Sequence, residues 1–312
     1  MLSKAELRGG MLALAGIMVI VYGLIAVSPG LPGELLLQTL RFHLLAVGLC
    51  IALIVVLLGA RWRGALFFLV VVGSAAQGIA TVGEFYARRT DLEDPPAAQF
   101  RFLNFNVLAF NEQASELIDA VLADPPDVML VMETPGVREY FDQIETVLPY
   151  RIGCMDDRCD ISLHSRFPIM DGQALALPPF FRERVVIGRI VVDGQDVTIA
   201  GLHLSKPYFD DASWGELYFI RERLLEIEGP MVVAGDFNAA PWSEPVSRFG
   251  QVLELVPGPW PEATWPVELG PLGVPIDNVF TRGNARLLTL DAGDSIGSNH
   301  RPLRANVAIY DQ

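Results

Sequence analysis

The segment Met231–Ser243, MVVAGDFNAAPWS, ends an apolar run on Gly-Asp-Phe-Asn. If the run is a strand, Asp236 and Asn238 lie two positions apart and point the same way. That sets a carboxylate able to accept a proton beside an amide able to donate a hydrogen bond, the pairing needed where water attacks next to an anion. A strand followed by an Asx-type turn uses the same residues for local reasons, and the other strand ends decide between the two. Asn104 and Asn106 lie in LNFNV, Glu133 ends VMLVME, His203 lies in GLHLSK, Asp277 in PIDNV and His300 in GSNHRP. Each alone has a bland explanation: Glu133 as a helix cap, His203 as a satisfied core histidine, Asp277 as the start of a turn. Six strand ends, each with an acid, amide or imidazole and two with a histidine, exceed what turn chemistry asks for.

The elements that must position these residues follow from periodicity. Segments 98–107, 127–132, 160–164, 185–192, 197–204, 231–234, 276–281 and 303–309 read as strands, and 112–123, 137–147 and 213–228 as helices. Asp193-Gly194 joins two strands as a hairpin. Several neighbouring strands lack an intervening helix, which makes this a mixed-sheet α/β pattern.

Ahead of it, residues 1–83 hold three uncharged apolar runs, 11–33, 42–60 and 64–83. Each is close to the roughly 20 residues that cross a bilayer as a helix. Three runs do not fit a signal peptide, and apolarity on every face does not fit a soluble helical hairpin. Lys4, Arg8, Arg61 and Arg63 set the N-terminus and the second turn on the cytoplasmic side, with Arg88 and Arg89 opposing that orientation. The expected organisation is a three-helix transmembrane anchor over 1–83, a polar linker over 84–97, and one domain over 98–312 outside the cytoplasm.

Beyond residue 83 the chain has 18 basic and 35 acidic residues, a net charge of −17. Such a surface is poorly suited to duplex DNA, whose binding needs many phosphates neutralised, but it leaves room for a site that takes one phosphate. Cys50 lies inside the second apolar run. Cys154 and Cys159 are close together in GCMDDRCD, where a disulfide, a two-cysteine metal site and two free thiols are all readings of the spacing.

In chain order the pieces FNV, VMET, HSRFPI, GLHL, GDFN, PIDNVF and SNHRPL resemble the endonuclease/exonuclease/phosphatase superfamily over most of residues 98–310. With the apolar runs and TWP (264–266), the chain looks like a membrane-anchored bacterial branch. The resemblance implies a DNase I-like fold, a four-layer sandwich of two mixed β-sheets flanked by helices, here preceded by three transmembrane helices. It implies a divalent metal, Mg2+ or Mn2+, held by Glu133 with Asn106 beside it. Asp236 then matches the residue that aligns or deprotonates water, and Asn238 its partner near the phosphate. His300 matches the imidazole on the phosphoryl oxygens, Asp277 the carboxylate that orients it, and His203 a second phosphate-contacting histidine. The family's terminal Ser-Asp-His is here Ser298-Asn299-His300. Asn299 keeps an oxygen ligand for the metal but loses a charge, so metal binding is expected to be weaker or to rely more on Glu133.

The expected activity is hydrolysis of a phosphodiester or phosphomonoester, of a phospholipid, a small phosphoester or a nucleic acid. The expected location is a bacterial inner membrane, multi-pass, with the catalytic domain in the periplasm or extracellular space. A membrane-anchored nuclease and a catalytically lapsed binding module of the same fold are the alternatives. The sequence names no protein partner.

Overall fold

A computed structural model describes residues 3–311 apart from 91, 93, 156–158 and 208–211. Asp91 and Glu93 of the expected linker, and the residues between Met155 and Cys159, therefore lie outside the described residues. The chain divides into two compact units, 1–85 and 86–312.

The first unit is helical: α1 (Lys4–Val27), α2 (Glu34–Thr39), α3 (Arg41–Leu57) and α4 (Arg61–Tyr86), the last crossing the boundary by one residue. Ser3 caps α1 by accepting from Glu6 N, while Glu6 accepts from Ser3 N in return. α1 stops short of the expected 11–33 run, because Ser28 turns left-handed before Pro29. Glu34 then accepts from the Gly30 and Leu31 amides. By length and composition α1 and α4 are apolar enough to cross a membrane. α3, expected over 42–60, has only 17 residues, about 26 Å of helix against a hydrocarbon core of about 30 Å. Two helices, not the expected three, thus meet the length.

The second unit packs two six-stranded sheets face to face. The strands are β1 (Ala98–Asn106), β2 (Val128–Met132), β3 (Tyr150–Ile152), β4 (Ile161–Ser165), β5 (Met170–Leu177), β6 (Arg182–Val192), β7 (Gln195–His203), β8 (Met231–Asp236), β9 (Val256–Pro257), β10 (Asp277–Arg282), β11 (Ala285–Ala292) and β12 (Leu303–Ile309). One sheet runs β11-β12-β1-β2-β4-β3 and the other β5-β6-β7-β8-β10-β9. Each is mixed: β1–β2 and β7–β8 are parallel, the remaining pairs antiparallel. Alternate residues of each strand fill the space between the sheets, among them Phe100, Phe102, Leu130 and Leu163 from one and Ile199, Val232, Ala234 and Val279 from the other. On the outer face of the first sheet, α5 (Ala114–Ala123) buries Leu117, Ile118 and Val121 beside α6 (Phe141–Ile144). On the second, Phe249 of α8 (Glu244–Val252) meets Phe237 edge-on, while α7 (Ala212–Leu225) buries Leu217, Ile220 and Leu224.

The expected helix 137–147 shrinks to the single turn of α6. Glu133 is left-handed, Pro135 follows, and Val137 at φ −133° interrupts two successive 3-10 turns. The apolar spacing of Val137, Phe141 and Ile144 survives as a buried face without a continuous helix.

His164 sits in this outer layer, fully buried. Its Nε2 is 3.0 Å from Ser162 Oγ, and Phe141 meets its ring edge-on. Burial, reinforced by Arg151, pushes its pKa down to about 3. Unfolding restores a value near 6.5, so the unfolded chain takes up this proton first. The stability is fully present above pH ~6.5 and falls as pH drops towards 3, by about 1.4 kcal/mol per unit. Chemical denaturation in detergent at pH 7 and pH 5 should show wild type losing about 2 kcal/mol more than His164→Gln; equal losses would contradict it.

Candidate active site

The strand directions bring the polar residues together. β1, β2, β7 and β8 end where β4, β6 and β10 begin, since the latter run antiparallel to them. At that end of the sandwich the inward face changes from apolar to polar. Across the second sheet, His203 is in register with Asp236 and Asp236 with Asp277; Arg184 is the third residue of the neighbouring β6. Across the first stand Asp160, Glu133 and Asn106, with His300 just ahead of β12.

The two rows are bonded to each other. Asp160 Oδ2 lies 2.6 Å from His203 Nδ1 and 3.5 Å from Arg184. Asn106 Nδ2 donates to Asp236 Oδ2 at 3.0 Å and to Glu133 Oε1 at 3.2 Å. His300 Nδ1 lies 2.8 Å from Asp277 Oδ2. Both imidazoles turn their second nitrogen towards the same atom: Asp236 Oδ2 is 3.6 Å from His203 Nε2 and 3.9 Å from His300 Nε2. All of these side chains are buried except Glu133, which is half-buried.

Local backbone geometry sets these directions. In Gly235-Asp236, Gly235 has φ 145° and lies so close to β7 that a Cβ would sit 1.7 Å from Leu202 O. Gly201 leaves room for Leu130, whose Cδ1 would otherwise meet a Cβ at 2.2 Å. Leu108, Glu133 and Asn238 are all left-handed without being glycine, a strain of order 1–3 kcal/mol each. It is held by bonds around the site. Ala109 N donates to Glu133 Oε2, Leu108 N to Asn106 Oδ1, and Asn238 N to Asp236 Oδ1. Asn238 also gives one amide hydrogen to Leu204 O, leaving the other. Ser298 Oγ donates to Asn106 O, tying the 298–300 segment to β1.

The electrostatics follow from burial and pairing. Burial would lower the pKa of His300, but the Asp277 charge and hydrogen bond, with Asp236 and Glu133, outweigh it and raise it to about 9. Burial and Asp160 oppose each other in the same way at His203, and the balance is upward. Asp160 is also held down, its burial being outweighed by His203 and Arg184. Asp236 moves up, through burial first and then the Asp277 charge, against both histidines. A buried base of raised proton affinity therefore lies between two imidazoles biased towards their charged, donating form.

The ligand-type atoms of Asp236, Asp277 and His300 all lie within 4.8 Å of one another. That spacing could hold a metal ion, although a cation there would have to displace the proton that Asp277 favours on His300. Two further oxygen donors are the half-buried Glu133 carboxylate and Asn299 Oδ1, which is buried without a hydrogen-bond partner. Hard oxygen ligands of this kind suit a small divalent ion. Asn106 presents its amide nitrogen to the two carboxylates, orienting Glu133.

The sequence reading did not single out Asp160, Arg184 or the network behind them, in which Arg184 and Ser205 bond the buried Glu216. The signal was present: an antiparallel strand begins where its parallel neighbours end, so strand starts needed the same scrutiny as strand ends. Thr264, noted only within TWP, accepts from Asp277 N through its hydroxyl and from Arg301 N through its carbonyl. Cys154 and Cys159 are joined as a disulfide, with Cα atoms 4.6 Å apart, between Glu133-Thr134 and Asp160.

A sequence profile described as the Endonuclease/Exonuclease/phosphatase family matches residues 103–300. No curated protein matches the chain. Among solved structures, TDP2 of D. rerio complexed with single strand DNA product is similar, with 15% identity and TM-score 0.57 over 67% of this chain and 98% of that one. The human Nocturnin catalytic domain with bound sulfate is similar at 18% identity and TM-score 0.55, covering 70% and 96%. Beta toxin from Staphylococcus aureus with bound magnesium ions is similar at 12% identity and TM-score 0.52, covering 68% and 100%. At these identities the likeness is one of fold.

Proposed function

The chain belongs to the endonuclease/exonuclease/phosphatase family, and from that premise we propose that it is a metal-dependent phosphoesterase acting at the non-cytoplasmic face of a bacterial inner membrane. The observation that carries the reading is the convergence of two carboxylate-backed imidazoles on Asp236. Asp236 accepts the proton of the attacking water, a role supported by its raised proton affinity. His300, kept charged by Asp277, and His203, kept charged by Asp160, donate to the phosphoryl oxygens as negative charge builds up. The free amide hydrogen of Asn238 adds a neutral donor. Mg2+, or Mn2+ in its place, would be held by Glu133 and Asn299 and would supply Lewis-acid neutralisation of the phosphoryl group.

The three apolar runs are proposed as a three-span anchor over 1–83, with 17-residue α3 the middle span, a linker over 84–97 and the catalytic domain over 98–312. The disulfide supports an oxidising compartment for that domain. Beta toxin with bound magnesium supports the choice of metal by analogy of fold. A net charge of −17 beyond residue 83 disfavours duplex DNA, and a membrane anchor would favour a phospholipid or another lipid-linked phosphate. A panel of phospholipid vesicles, single-stranded and duplex DNA and small esters, given to the full-length protein, tests this; duplex DNA as the best substrate would overturn it.

The metal shell carries its own prediction. Glu133→Gln should raise the Mg2+ concentration for half-maximal activity at least ~10-fold, and Asn299→Asp should lower it, since each alters one charge beside a hard cation. Identical metal titrations for all three proteins would remove this shell.

A further inference from the structure

On the Asp160–His203 side of the site lies a cleft of about 450 Å3. Glu133 and His203 line its inner end, and Arg182, Lys206 and Phe180 line its wall. Arg182 opens β6 and lines the cleft together with Arg184 two residues on. Arg184 is consumed by Asp160, Glu216 and Ser205. Arg182 and Lys206 are exposed, and neither has a carboxylate partner within ion-pair distance among the described residues. Two cations on one wall without an ion-pair partner among the described residues stand out in a domain with nearly twice as many acidic as basic residues. Arg182 is near enough to Asp160 to help hold its proton affinity down.

These cations are offset from the hydrolytic centre. Arg182 starts two strands away from Asp236, across β7, roughly 10 Å at ordinary strand spacing. The scissile phosphate already has donors in His203, His300 and Asn238. An anion on the Arg182–Lys206 wall is therefore a different group of the same ligand. Phe180, 61% exposed at the rim, offers an apolar surface to whatever joins the two anions.

We propose that this cleft is a second anion subsite, so that the substrate is a phosphate ester carrying another phosphate or carboxylate a short carbon skeleton away. The inference deepens the phosphoesterase reading and rests on it for the word substrate. A cationic choline head group is disfavoured by the same wall. The second anion has two sources, a soluble bisphosphate or a lipid with a phosphorylated head group, and both present the same chemistry to Arg182 and Lys206.

Binding separates the subsite from catalysis. Calorimetric titration of the full-length protein with 1,3-propanediol bisphosphate and with propyl phosphate should show at least ~10-fold tighter binding of the bisphosphate, the scale of one charge-assisted hydrogen bond. Arg182→Ala/Lys206→Ala should remove most of that preference, and Arg182→Glu/Lys206→Glu should reverse it. Equal affinities in wild type, or a preference retained in both double variants, would overturn the subsite. Turnover then identifies the source. Faster hydrolysis of phosphatidylinositol phosphate in phosphatidylcholine vesicles than of the soluble bisphosphate assigns the anion to a lipid, and the reverse assigns it to a free ester. Preferential binding with hydrolysis of neither would support the anion subsite and overturn the phosphoesterase reading alone.

Discussion

Asp236→Asn is expected to lower kcat on a phosphodiester by about 10³-fold, within the range that loss of a positioned base produces. The substitution is isosteric. An amide oxygen at Oδ1 can still accept from Asn238 N, but the amide nitrogen then replaces Oδ2 opposite the Asn106 Nδ2 donor, so that one hydrogen bond is lost. What disappears is the capacity to take a proton at the point on which His203 and His300 converge. Stability should change little, because the lost bond is offset by removing a buried carboxylate whose charge is disfavoured by burial and by Asp277. The check is kcat together with thermal unfolding of the same preparation. Activity within a few-fold of wild type, in a folded variant, would take Asp236 out of the chemistry.

Asp277→Asn is expected to move the alkaline limb of the pH–rate profile downward and to reduce kcat by about 10²-fold. His300 titrates at about 9 because the Asp277 charge and hydrogen bond, helped by Asp236 and Glu133, overcome a burial that alone would take it below 6.5. Removing the Asp277 charge removes the foremost of these raising contributions, so His300 becomes neutral at lower pH and the rate falls earlier on the alkaline side. A cation at Glu133 acts in the same direction, so both proteins are profiled at one Mg2+ concentration. The same pair has a stability signature. With a folded value raised above the unfolded 6.5, its stabilisation is complete below about 6.5 and lost as pH rises through about 9. An unmoved alkaline limb in Asp277→Asn would break the link between this carboxylate and His300.

Much of the site was legible because chemistry and strand geometry coincide in it. Asp236, Asp277, His203 and Asn106 each continue the inward alternation of an apolar strand, so an inward-facing polar residue at a strand end marks a polar mouth on the core. Asp160 escaped because it precedes its strand. β5 escaped for a different reason. Half of its residues are exposed, without regular alternation, and it is an edge strand that pairing with β6 orders more than its own sequence does. The 137–147 segment shows the converse: a helical spacing of apolar residues was present, but a left-handed Glu133 and Pro135 broke the backbone beneath it. In the first unit, apolarity misplaced helix ends: Ser28 and Pro29 stop α1 within an uninterrupted apolar run, while α1 and α4 both extend beyond their apolar runs.

The central claim is that the two facing rows of polar side chains hydrolyse a phosphate ester with the help of a divalent cation. The most direct measurement is release of p-nitrophenol from bis(p-nitrophenyl) phosphate by the purified full-length protein, first in Mg2+, then in chelator, then with Mg2+ restored. The account predicts turnover that stops on chelation and returns with the metal. Turnover unaffected by chelator would contradict the metal's part in it, and no turnover in Mg2+ or Mn2+ would contradict the claim itself.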